Sequence, residues 1–239
     1  MSASETVACV GSSTTASRGT YKWIDELANR PQNSRFRFVN LGVGGDLSFN
    51  TVRRLHRVIS LQPDRVIVLI GTNDILASVF PGFRRFVRVV KRVSEEPTSG
   101  RFEENLDVIV SRLQADTLSS FAPVGEEPDS RDPVQRRLNE LVAAYNAIVR
   151  KVASSQHADY IPFYEAFHNQ LVRAGTAKPF TRFSFASFYR DYLLREMILR
   201  QNFDEIARIN GWQFHIDGIH LNTPGGQILT DAVQKFLDA

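Results

Sequence analysis

Cysteine is nearly missing from this chain: Cys9 is the only one in 239 residues. A lone cysteine excludes an internal disulfide framework and fits a reducing compartment. No apolar run approaches the roughly 18 residues of a membrane span, and no charged-then-apolar leader stands at Met1–Thr6. These absences predict a soluble, cytoplasmic protein. Long basic runs are also missing. The 29 lysines and arginines are scattered among 26 acids, for a formal charge of +3, which argues against a nucleic-acid partner. There is no Walker-type phosphate loop and no cluster of cysteines or histidines, so neither a cofactor nor a metal is expected. Repeats, low-complexity stretches and linkers are absent as well. One domain over residues 1–239 is therefore expected, and with 43% hydrophobic residues it can bury a full core.

What is present begins with Val66-Ile67-Val68-Leu69-Ile70, an apolar run that reads as a strand buried on both faces of a parallel sheet. It gives way at once to Gly71-Thr72-Asn73-Asp74. Ligands of open α/β sheets sit beyond the carboxyl ends of the strands, so Asn73 falls where chemistry would occur. The plainer reading is that Asn73 and Asp74 turn the chain and cap a helix. Further strands are expected at Thr6–Val10, Phe36–Leu41, Thr117–Ala122 and Ala158–Phe163. Helical spacing covers about 49–61, 102–114 and 138–153, and a last helix carries Thr223 as N-cap and Pro224 at its first position. The alternation predicts an α/β fold, a three-layer α/β/α sandwich around a five-stranded parallel sheet.

Near the end lies Asp217-Gly218-Ile219-His220. In a tight turn Asp217 can accept the Nδ1–H of His220 and leave Nε2 free as a base. A serine hydroxyl is a weak nucleophile that needs such a base, itself oriented by a third group. Ser13, after the first strand, is a plausible serine for it to serve. Each signal has a bland counterpart: a serine after glycine is more often a cap, Asp-x-x-His a surface hydrogen bond, and Gly44-Gly45 a flexible turn. Their joint occurrence at strand ends is what carries weight. His56, His157, His168 and His215 read as structural or solvent-facing.

With these segments the chain resembles the GDSL/SGNH hydrolase superfamily, whose short sequence blocks are spread over one flavodoxin-like domain. Gly11-Ser12-Ser13-Thr14-Thr15 matches the first block, Gly44-Gly45-Asp46 the second, Gly71-Thr72-Asn73-Asp74 the third and Asp217-Gly218-Ile219-His220 the last. The resemblance implies a serine-dependent carboxylic ester hydrolase of the esterase/lipase type, without cofactor. Its triad would be Ser13, Asp217 and His220, and its oxyanion hole Ser13, Gly45 and Asn73. There is one departure. The first block ordinarily reads Gly-Asp-Ser, and Ser12 stands in place of the aspartate. That aspartate is not a triad member, but its loss leaves Ser12 as a competing hydroxyl. Carbohydrate O-acetylesterase and a catalytically silent binding module are the alternatives.

Specificity falls to the helical insertions at about 78–100 and 165–212. The first reads as one basic amphipathic helix, 79–93, with Phe80, Phe83, Val87 and Val90 on a stripe and Arg84, Arg85, Arg88, Lys91 and Arg92 around it. It is either a structural helix with solvated arginines or a mobile rim making weak interfacial contact. The second holds Phe180, Phe183, Phe185, Phe188, Tyr189, Tyr192, Leu193, Leu194, Met197 and Ile198. That segment is either a helix packed on the core or an apolar wall for an acyl group. The partner expected is a small-molecule ester.

Overall fold

The computed structural model describes residues 4–238, apart from the side chains of Phe188, Tyr189 and residues 192–194. Five strands, β1 Glu5–Gly11, β2 Phe36–Gly42, β3 Arg65–Leu69, β4 Thr117–Ser119 and β5 Asp159–Ile161, form one sheet in the order β2-β1-β3-β4-β5. Every neighbouring pair is parallel. Gly11 lies opposite Gly42 on one side and Leu69 on the other, so β1, β2 and β3 end at one level. The strand order reverses direction at β1, which opens a crevice at the carboxyl ends of β1 and β3.

Helices cover both faces, as right-handed crossovers require. In chain order they are α1 Ser13–Ala16, α2 Trp23–Asn29, α3 Ser48–Arg53, α4 Leu55–Ile59, α5 Thr72–Val79, α6 Pro81–Val89, α7 Ser99–Leu113, α8 Pro133–Ser155, α9 Phe163–Ala174, α10 Phe185–Tyr189, α11 Phe203–Asn210 and α12 Thr223–Leu237. A π-helical stretch, Arg190–Ile198, follows α10. Helices α2, α9 and α12 pack together, as do α3, α4, α7 and α8. Val7–Val10 of β1 and Val66–Ile70 around β3 are buried on both faces, as their unbroken apolar runs predict. On α12 the i, i+4 stripe Leu229, Val233 and Leu237 is buried, and each such side chain contributes about 1.5–3 kcal/mol.

Several boundaries differ from the sequence reading. The helix expected over 49–61 is two, broken at Arg54, whose φ of −116° and ψ of 13° leave the helical region. Its guanidinium is drawn inward to Asp46 at 2.8 Å. The expected helix over 79–93 is also divided. Val79 ends α5, and Pro81 opens α6 after an extended Phe80, the conformation a following proline favours. Segment 165–212 is helical only in pieces, with an irregular stretch before α10. The N-cap of α12 is Asn222 rather than Thr223. The Asn222 carboxamide accepts the N–H of Gly225 at 3.1 Å and places Pro224 at the second helical position.

Candidate active site

The carboxyl ends of β1, β2 and β3 meet around a cavity of about 450 Å³. Ser13, the first residue of α1, opens into it. Ser12 is buried and lines a separate small crevice with Leu69, Ile70 and Phe121. The Ser13 N–H has no acceptor within its own helix, because the first N–H groups of any helix are unpaired.

Gly45 and Asn73 reach the same cavity. Gly45 has a φ of +75°, a backbone conformation that favours glycine. The Asn73 Nδ2 donates to the Asp46 carbonyl at 2.9 Å, which fixes the amide and leaves its second N–H for another acceptor. Gly71, at φ +140° with the Phe121 ring only 2.4 Å from where a Cβ would be, makes the sharp exit from β3 that delivers Asn73 to this point.

Buried charges hold these loops. The Asp46 carboxylate pairs with Arg54 at 2.8 Å and Lys91 at 2.9 Å. Arg54 also donates to the carbonyls of Leu41 at 2.7 Å and Gly11 at 3.0 Å, tying the ends of β1 and β2 to the Gly45 turn. Asp74 accepts from the Ser48 hydroxyl at 2.6 Å and from its N–H, and so caps α3. Burial raises the Asp74 carboxyl to about 6, against the opposing pull of the Ser48 hydrogen bonds.

The last polar element is the turn before α12. Asp217 Oδ2 lies 2.8 Å from His220 Nδ1, while Oδ1 accepts the N–H groups of Ile219 at 3.0 Å and His220 at 2.8 Å. His220 lines the cavity and Asp217 stands behind it. Burial pushes the Asp217 pKa up, but the His220 charge and these hydrogen bonds outweigh it, and the net shift is downward. Burial lowers the imidazole pKa, while the Asp217 charge and hydrogen bond raise it more, so the net shift is upward.

Over residues 9–180 the chain matches the model of the GDSL-like lipase/acylhydrolase family. The chain belongs to that family. No curated protein matches it in sequence. Among solved structures it is similar to an acetyl xylan esterase, AlAXEase, at 19% identity and a TM-score of 0.65, covering 97% of this chain and 98% of the other. It is similar also to LAE5, an α/β hydrolase from the metagenome of Lake Arreo, Spain, at 20% identity and a TM-score of 0.62, covering 98% and 95%. Axe2, an acetylxylan esterase from Geobacillus stearothermophilus, aligns at 17% identity and a TM-score of 0.60, covering 98% and 94%. At such identities the likeness establishes a shared fold. Family and fold together make this protein a carboxylic ester hydrolase.

In this GDSL-like hydrolase the segments 78–100 and 165–212 meet above the polar floor. Phe83 packs on Phe183 at 4.9 Å between ring centres, Phe86 on Phe185 at 4.7 Å, and Phe80 on Phe180 at 5.7 Å. Four of these rings, Phe83, Phe86, Phe183 and Phe185, line the cavity. Phe188, Tyr189, Tyr192, Leu193 and Leu194 fall outside the described side chains, while Met197 and Ile198 are exposed. Not all the arginines of α6 are solvated: Arg84 donates to the Ala77 and Ser78 carbonyls that end α5, at 2.8 and 2.6 Å. Val90, expected on the apolar stripe, is exposed. A larger hollow of about 970 Å³ lies at the amino ends of β3, β4 and β5 and contains none of the site residues. Among the described residues no group of acids, histidines or cysteines is placed to hold a metal ion.

Proposed function

We propose that this hydrolase cleaves carboxylic esters through an acyl-enzyme on Ser13. The observation that carries the reading is one cavity onto which Ser13, Gly45, Asn73 and His220 all open, with Asp217 at 2.8 Å behind the imidazole. Ser13 Oγ attacks the ester carbonyl carbon and its proton passes to His220 Nε2. The carbonyl oxygen becomes an oxyanion, met by the N–H groups of Ser13 and Gly45 and the free N–H of Asn73. One such donor is worth about 3 kcal/mol in the transition state. When the carbon–oxygen bond breaks, the leaving alkoxide takes the proton from His220. Water then attacks the acyl-enzyme, again giving its proton to His220, and the freed Ser13 oxygen recovers a proton as the carboxylic acid leaves.

The aromatic wall favours an apolar acyl group longer than acetyl, because a cavity of about 450 Å³ bounded by four phenylalanines is far larger than a methyl group needs. A second reading, deacetylation of a carbohydrate, is supported by the acetylxylan esterases among the structural neighbours. A series of p-nitrophenyl esters of increasing acyl length, run beside an acetylated xylo-oligosaccharide, separates them. The acyl reading expects kcat/KM to rise beyond acetate and then fall when the wall is reached. A maximum at acetate, with release of acetate from the sugar, would favour the deacetylase.

A further inference from the structure

Glu126 lies in the loop after β4 and is only 1% exposed. A carboxylate buried to that degree is costly unless its lone pairs are used. Here they all point into the segment that leads to the acid–base turn. Oε2 accepts the N–H of Gln213 at 2.8 Å. Oε1 accepts the N–H of Phe214 at 2.7 Å and of His215 at 2.8 Å, and lies 3.0 Å from His215 Nδ1. Burial pushes the Glu126 carboxyl upward, yet the His215 ring and these backbone donors outweigh it and keep it below its ordinary value. The next residue back, Gly125, donates its N–H to the Gly218 carbonyl at 2.8 Å, inside the turn itself.

The segment 213–220 is neither helix nor strand, apart from one bridge between His215 and Leu221, so no regular ladder sets its path. Its carbonyls are held by asparagines and its far end by the turn itself. Asn222 donates from Nδ2 to the Gln213 carbonyl at 2.8 Å and from its N–H to the Phe214 carbonyl at 3.3 Å. Asn210 Nδ2 donates to the Ile216 carbonyl at 2.9 Å, and the Ile216 N–H donates to the His220 carbonyl at 2.7 Å. Asp217 accepts the Ile219 and His220 N–H groups, while the N–H groups of 213–215 are left to Glu126. The His215 ring is fully buried, 5.0 Å from the Phe167 ring centre, and its Nε2 has no partner among the described residues, so Glu126 is the group that orients it. A need for stability alone would be met by apolar packing. What the carboxylate adds is direction.

We infer that Glu126 is a positioning residue of the acid–base turn: by gathering the N–H groups of Gln213, Phe214 and His215 it sets the register in which Asp217 holds His220 toward Ser13. The inference rests on the reading of His220 as base, although its spectroscopic test does not depend on turnover.

Glu126→Gln keeps the size of the side chain but turns an NH₂ toward donors. With a short-chain aryl ester, kcat should fall about tenfold to a hundredfold, the scale of a displacement of about 1 Å in a catalytic group. KM should stay within about twofold of the parent, because the acyl wall is untouched. The low-field proton resonance of the Asp217–His220 hydrogen bond, identified by its loss in Asp217→Asn, should shift or broaden in the resting protein. A purely structural Glu126 would lower the melting temperature and leave kcat per folded molecule and that resonance at parent values, which would overturn the inference. If Glu126→Gln does not fold, His215→Phe removes only one donor from the carboxylate. A smaller loss of kcat with the same displacement of the resonance supports positioning, and parent values of both overturn it. A parent that hydrolyses no ester, yet whose resonance moves in Glu126→Gln, would sink the proposed reaction and leave the positioning role standing.

Discussion

The floor and the wall of the cavity are built by different physics. The floor is made of loops at strand ends, and each is pinned by directional bonds to buried charge: Arg54 to Asp46, Ser48 to Asp74, the 213–215 backbone to Glu126, and His220 to Asp217. The wall is a set of phenylalanine rings from two separate segments, touching edge-on, tilted or stacked at about 5–6 Å between centres. Hydrogen bonds to ions fix angles and distances. Ring packing fills volume, tolerates substitution and exchanges partners at small cost. Changes in the floor should therefore alter the rate of chemistry for every substrate, and changes in the wall should alter which substrate is preferred.

The sharpest break of the floor is Ser13→Ala, expected to abolish ester hydrolysis with the melting temperature retained, while Ser12→Ala keeps substantial activity. A dead Ser12→Ala with an active Ser13→Ala would reverse the assignment. Next comes Asp217→Asn, where loss of the orienting carboxylate should cost about a thousandfold or more in kcat. The upward shift of His220 places the acid limb of kcat/KM above the ordinary histidine value of 6.5, since the base works only when neutral. In Asp217→Asn the residual activity should show that limb at lower pH, and an unmoved limb would detach Asp217 from His220. Asn73→Ala should lower kcat by about a hundredfold with little change in KM, as expected of a donor needed only once charge has developed. A raised KM at constant kcat would make Asn73 a ground-state contact instead.

Asp74 tests the floor through stability. Its folded pKa, about 6, stands above the unfolded 3.8, so the native state binds the extra proton in that interval and stability falls as pH rises through it. Relative to Asp74→Asn, the parent should lose on the order of 2 kcal/mol between pH 4 and about pH 7. Denaturant midpoints for both proteins across that range check it, and parallel curves would show that the buried carboxylate titrates normally. The smallest effect belongs to the wall. Phe185→Ala should change kcat on an acetyl ester less than about threefold and shift the preferred acyl length, as one pocket methylene group is worth only about 1–3 kcal/mol. A uniform loss across all acyl lengths would erase the distinction between floor and wall.

The floor's proposed reacting groups stand out in the sequence because chemistry-bearing residue types directly follow recognisable strands: Ser13 after Val7–Val10 and Asn73 after Val66–Ile70. The Asp217–His220 pair was legible because its partners are three residues apart. The supports were not. Glu126 and His215 are separated by 89 positions, and nothing local distinguishes a glutamate destined for burial from one left in water. Arg54 sits inside a stretch with helical spacing, and only its distant partners, Asp46, Leu41 and Gly11, explain why the helix breaks there. The split between α5 and α6 did carry a signal, since Pro81 restricts Phe80, but the apolar stripe across it reads as one continuous helix. The rings of 165–212 could be read as an apolar wall, but their pairing with Phe80, Phe83 and Phe86 could not, because the partners lie about a hundred residues apart and periodicity within either segment does not contain it.

The central claim is that Ser13, not its buried neighbour, is the residue this site activates. Incubation with an aryl phosphonate, followed by peptide mapping of the adduct, tests it most directly. The account predicts one covalent phosphonyl group per chain, on Ser13, with labelling slowed strongly in His220→Ala. An adduct on Ser12, or labelling of Ser13 at an unchanged rate without His220, would contradict it.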